Sequence, residues 1–154
     1  MSLFVECKPD ETLAIALGVS KRNLEHAGSR ARVCAQVSLR SETMGMIDED
    51  PNAAPHPYMQ NLRESLVEHQ IRVLSDSERK NRLVVICPRL EDWLVECAKS
   101  GGLKMTDFGF ESDNGRHLHR EINHRLPNVE RLVDALLSAW SSSMLRLQSL
   151  IKPL

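Results

Sequence analysis

Apolar positions along the chain fall into two kinds of pattern. Leu3-Phe4-Val5, the apolar residues of Met44 to Ile47, and Leu83 to Cys87 are short continuous runs bounded by turn residues, the mark of buried strands. Between and after them lie stretches with apolar residues three and four apart, the period of one helix face. The pattern predicts strand 3–6, helix 10–18, a short helix near 20–27, helix 30–40, strand 43–48, helix 58–69, strand 70–74, strand 82–87, helix 89–100, helix 116–125 and helix 128–148. Asp10 is placed to cap the first helix and Gly18 to stop it. Helices alternating with buried strands predict an α/β fold on a mostly parallel sheet. The link 75–81 is too short for a crossover helix, so strands 70–74 and 82–87 are either antiparallel neighbours or not directly paired.

The C-terminal region differs in density. Val129, Leu132, Val133, Leu136 and Leu137 form one helical stripe, and beyond Ser141-Ser142-Ser143 come Met144, Leu145, Leu147, Leu150, Ile151 and Leu154. That second set exceeds what one helix face usually needs. It divides the chain into a main unit, 1–140, and an apolar helical extension, 141–154, which either caps the core or forms an interface with a second copy or a larger partner. The interface is the reading favoured for the segment after Ser143.

Composition narrows the possibilities. At 154 residues the chain is about one domain, and 42% hydrophobic residues suffice for one core. A net charge of -1 with 27% charged residues is not the profile of a free-standing basic nucleic-acid binder. Contact with DNA or RNA must then use a local patch, a metal or a partner subunit. Cys7, Cys34, Cys87 and Cys97 show no C-x-x-C spacing, which speaks against a zinc site or a disulfide framework. No apolar run approaches the ~20 residues that span a bilayer, and no signal peptide is visible, so a cytoplasmic location without membrane contact is expected. Phe4, Tyr58, Trp93, Phe108, Phe110 and Trp140 are the only aromatics and do not make a base-stacking platform.

The candidate chemistry lies in Met44 to Pro51, MGMIDEDP. A strand ending in D-x-D sets Asp48 and Asp50 at one sheet edge, and period-two alternation points both to the same side. Like charges that close repel unless a cation lies between them, and Mg2+ suits such hard oxygen ligands. D-E-D-P is also an ordinary acidic turn. Glu6 stands at the end of the first strand, so adjacent parallel strands would bring it to the same edge. The Pro-rich loop 51–57 is placed to wall a site there. Glu49 would point the other way. Glu91 opens the helix after strand 82–87, where the helix dipole alone favours an acid; facing the same edge, it could also bind a second metal.

The unit strand-Glu6-turn-Asp10-helix, followed by a strand ending in Asp48-x-Asp50, resembles the Toprim domain of topoisomerases, bacterial primases and nucleases of the overcoming-lysogenization-defect class. The segments Pro88 to Leu94, Leu118-His119 and Arg125-Leu126-Pro127 are similar to compact stand-alone proteins of that kind. Cys7 stands where the family usually has Gly, and the spacing to Asp10 is one residue longer. The resemblance implies a three-layer domain, with about four strands and helices on both faces. It implies Glu6 as catalytic acid/base or metal ligand, Asp48 and Asp50 as metal ligands, Mg2+ (or Mn2+) as cofactor, and Asp10 as a supporting acid or the helix cap. The activity it implies is phosphodiester cleavage, most simply by a nuclease acting with a partner ATPase or DNA-handling subunit, or as a homo-oligomer. A role as a toxin or anti-phage effector would be compatible with that chemistry. Arg30 and Arg32, between the acidic motifs, and Arg116 and Arg120, in a helix that also carries His117, His119 and His124, are candidate phosphate contacts. Topoisomerase action is disfavoured because Tyr58 is the only tyrosine, and primase action because no template-binding or zinc module is seen. The alternative is a non-catalytic binding or assembly subunit, which Cys7 in place of Gly and the modest net charge support.

Overall fold

The computed structural model of the protein describes residues 1–152; Leu154, counted in the C-terminal apolar set, lies outside them. Six strands form one sheet in the order β2 (Leu24–His26), β1 (Leu3–Val5), β3 (Met44–Asp48), β6 (Asn81–Ile86), β5 (Ile71–Asp76) and β4 (Arg63–Glu68). The first four are parallel, and β5 and β4 are antiparallel additions. Around the sheet lie α1 (Lys8–Ala16), α2 (Arg30–Ser38), α3 (Pro57–Gln60), α4 (Leu90–Ser100), α5 (Gly115–Glu121), α6 (Leu126–Ser138) and α7 (Ser142–Ile151). The fold is thus α/β, with a mixed, mostly parallel sheet.

Alternation along the central strands sorts their side chains into two buried sets. Leu3, Val5, Met44, Met46, Val84 and Ile86 join the larger core with residues of α1, α4, α6 and α7. Phe4, Ile47, Leu83 and Val85 pack on the other face with Val33, Cys34 and Val37 of α2. Both faces of these strands are covered, which is why their sequences read as continuous apolar runs rather than alternating ones. Trp93 of α4 is buried, and its indole N–H donates to the carbonyl of His69 at 2.9 Å.

Gly45 sets how closely α2 approaches the sheet. A Cβ there would stand 2.6 Å from Val33 Cγ1 and 2.8 Å from Leu83 Cδ2. Gly45→Val is expected to destabilise the protein by about 3 kcal/mol through overpacking, read as a lowered urea midpoint with an unchanged slope. A midpoint equal to that of the natural chain would show that α2 can move outward at no cost.

Several expectations are corrected. The sheet has six strands, not about four, because β2 and β4 occupy segments read as helical. Residues 58–69 were expected to form one helix; instead α3 stops at Gln60 and β4 pairs with β5. The β4–β5 turn is His69-Gln70, both at positive φ (53° and 57°), the two-residue hairpin geometry that usually takes Asn-Gly. Helix 128–148 is two helices: Trp140, at φ 59°, ends the first, and the Ser141 hydroxyl caps the second by accepting from the Met144 N–H. Helix α1 starts at Lys8 with Cys7 as its cap. Asp10 lies inside the first turn and reaches back to accept from the Cys7 N–H. Strands β5 and β6 are antiparallel neighbours, one of the two options left open.

The extension after Ser141 folds onto the main unit. Met144, Leu147, Leu150 and Ile151 belong to the larger core, and Arg146 forms an ion pair with Glu68 of β4. Strand β4 is the outer strand on that side. It exposes Arg63, Glu64, Ser65 and Val67, and a register shift falls between Glu64 and Leu66. Among the described residues, no helix is long and apolar enough to cross a membrane.

Candidate functional site

Strands β1 and β3 are adjacent and parallel, with Val5 opposite Met46. Glu6 follows directly on β1 and Asp48 ends β3, so both leave the sheet at its C-terminal edge, where open α/β sheets bind ligands. A Glu6 carboxylate oxygen accepts the backbone N–H of Asp48 at 2.9 Å. Asp48 in turn accepts the backbone N–H of Leu90, at the start of α4, at 3.1 Å. Each acid therefore joins its own strand to the next element, and each keeps a further oxygen.

Burial dominates the electrostatics. Asp10 is 3% exposed and takes hydrogen bonds from the Cys7 N–H and thiol at 3.2 and 3.0 Å. Loss of solvation, with the charge of Glu6 nearby, pushes its carboxyl up to about 7. Asp48 is pushed up to about 9, first by burial and then by Asp10, Glu6 and Glu91. Glu6 is raised mainly by burial; the Asp48 N–H and the Arg30 guanidinium oppose the shift. Four carboxylates thus share one poorly solvated corner, and desolvation, reinforced by the neighbouring acids, favours the protonated form of Asp48.

Asp50 departs from the D-x-D expectation. Strand β3 ends at Asp48, and Asp50 sits at φ 44°, so period-two alternation no longer decides where its side chain points. The carboxylate lies 3.6 Å from the Arg89 guanidinium. Glu49 does point elsewhere, towards Arg72 and the Cys87 thiol, each at 3.4 Å. Glu91 is 8% exposed and meets His119 Nδ1 at 3.1 Å. Among the described residues, no three His, Cys, Asp or Glu side chains are arranged to hold a metal ion as they stand. The acids at this edge, Glu6, Asp48 and Glu91, offer carboxylate oxygens, the donor type a hard divalent cation prefers.

A cleft of about 510 Å3 is lined by Asp50 and Glu91 of these acids, with Arg89, Asp92, Arg116, His119 and Arg120; Glu6 and Asp48 are not among its lining residues. Gly115 makes its wall possible: a Cβ there would collide with the Asp92 carboxylate. Arg116 and Arg120 are exposed, one turn apart on α5, and border the cleft. Arg32 is exposed on α2. Arg30 is engaged otherwise, with its guanidinium on the carbonyls of Glu49 and Ala54 at 2.6 and 2.7 Å. Sequence reasoning passed over His119 and Arg89. His119 was noted only as one of three histidines on the helix of Arg116 and Arg120. Its pairing with Glu91, 28 residues away, follows only from the packing of α5 on α4. No family model, curated protein or solved structure matches the chain.

Proposed function

We propose that the protein is a divalent-cation-dependent phosphodiester enzyme of the Toprim type, most simply a nuclease that works with a partner protein. The observation that carries this reading is the meeting of Glu6 and Asp48 at the C-terminal edge of two adjacent parallel strands, the Glu6 carboxylate on the Asp48 N–H at 2.9 Å, with Asp10 and Glu91 near enough to add to the upward shift that desolvation gives the half-buried Asp48 carboxyl. Asp48, Glu6 and Glu91 would hold Mg2+ or Mn2+, with Asp50 joining on release from Arg89. The chemistry such a cation supplies when bound is polarisation of a phosphodiester and activation of water.

The chain's own groups do the remaining work. Glu6, with its raised pKa and a free oxygen, is suited to take up or deliver a proton at the reacting oxygen. Arg116 and Arg120 are placed to hold a phosphate backbone against the cleft. No aromatic side chain lines it, so the ligand is held by its phosphates rather than by stacked bases.

The test uses labelled DNA and RNA with Mg2+ or Mn2+. Glu6→Gln keeps an oxygen to accept the Asp48 N–H, so the fold survives, and cleavage should fall about 1,000-fold. Absence of cleavage by the natural chain, with and without candidate partners, would rule the nuclease out.

A second reading, a non-catalytic binding or assembly subunit of the same fold type, is favoured by the Asp50–Arg89 and Glu91–His119 pairs. In these pairs Arg89 places a positive charge beside Asp50, and the His119 ring gives Glu91 a hydrogen-bond partner. That reading predicts nucleic-acid binding that persists in EDTA and weakens in an Arg116→Ala, Arg120→Ala variant.

A further inference from the structure

We propose that Arg30 is a positioning residue: its side chain straps the loop 49–54, which carries Asp50, against the end of the sheet. The inference rests on the cation-dependent reading given above. Arg30 is the first residue of α2, and the Ser29 hydroxyl caps that helix by accepting from Arg32 N–H, so the base of the side chain is fixed. Its two terminal nitrogens reach carbonyls at both ends of the loop, Glu49 at 2.6 Å and Ala54 at 2.7 Å. The near end of the loop is held by backbone bonds from Glu49 N–H to Ile86 and from Asp50 N–H to Pro88. Beyond Asp50 its backbone bond is the local one from Ala53 N–H to the Asp50 carbonyl at 3.0 Å. Pro51, Asn52, Ala53, Ala54 and Pro55 are exposed, so burial contributes little to their order. A planar guanidinium offers its donors from two nitrogens in a rigid fork, whereas an ammonium offers them from one rotatable nitrogen on a shorter reach.

The experiment compares the full chain with Arg30→Ala and Arg30→Lys by hydrogen exchange and by Mn2+ titration calorimetry. In both variants the Asp50 and Ala53 amides should exchange about tenfold faster, because a charge-assisted bond pair is lost. Mn2+ affinity should fall about tenfold in both, as when a supporting residue around a metal ligand is removed. Unchanged exchange in either variant overturns the proposal. So does an Arg30→Lys protein that keeps natural Mn2+ affinity, since charge alone would then suffice. Failure of the natural chain to bind Mn2+ would instead sink the cation-dependent reading, while the exchange rates would still decide whether Arg30 holds the loop.

Discussion

Asp48→Asn is expected to abolish Mn2+ binding and, in the metal-free protein at pH 8, to raise the melting temperature by about 5 °C. Both effects follow from the same burial. The Asp48 carboxyl titrates near 3.8 when exposed and near 9 in the fold. Between those values the folded chain retains a proton that the unfolded chain releases, so stability falls as pH rises through this window. The contribution is fully present below about pH 4 and gone above about pH 9. Asp10, raised to about 7, adds to the decline over the lower part of the range. Asparagine keeps an oxygen for the Leu90 N–H and removes the Asp48 share of this decline. Cation binding has the opposite dependence, because the ion must displace the Asp48 proton, and affinity should tighten with pH up to about 9. Melting curves from pH 5 to 9, with and without Mn2+, test both. A flat metal-free profile for the natural chain would mean that Asp48 ionises freely and that the corner is better solvated than described.

Leu147→Ala should destabilise the protein by about 3 kcal/mol, the usual result of truncating a fully buried leucine, and lower the melting temperature by about 9 °C for a chain of this size. Leu147 is completely buried among Met144, Ile151 and the α6 face. If α7 served chiefly as an interface, the loss would depend on protein concentration and vanish on dilution. Urea denaturation at two concentrations tenfold apart distinguishes the two. A midpoint matching that of the natural chain at both would show that α7 is not needed by the core.

The central sheet was legible because its chemistry is local. Leu3 to Val5, Met44 to Ile47 and Leu83 to Ile86 are apolar on both faces, and a strand buried on both faces has no other way to look. Strand β4 was missed for two reasons. Arg63 to Glu68 is largely exposed, so its pattern is weak, and the turn His69-Gln70 lacks the glycine or asparagine that usually marks such a hairpin. The break in the last helix was equally hidden, since Trp140 is a poor advertisement for a left-handed residue.

At the site, Glu6 and Asp48 could be placed together because both follow apolar runs whose ends align in a parallel pair. What sequence could not supply was the conformation after the strand. One positive φ at Asp50 replaces alternation with a turn and gives that acid to Arg89. The links from Asp48 to Leu90 and from Glu91 to His119 join residues 42 and 28 positions apart, and nothing in local spacing encodes them. Asp10 was read as a cap and is instead a buried acid within bonding distance of Cys7, a consequence of α1 starting two residues earlier than expected.

The two outer margins of the sheet bear on how the protein can meet others of its kind. One is the three-residue β2, too short to template a neighbour. The other is β4, guarded by Arg63, Glu64 and Glu68 and interrupted by its register shift, features that discourage a foreign chain from zipping alongside. Growth of a shared sheet across copies is therefore disfavoured on both flanks.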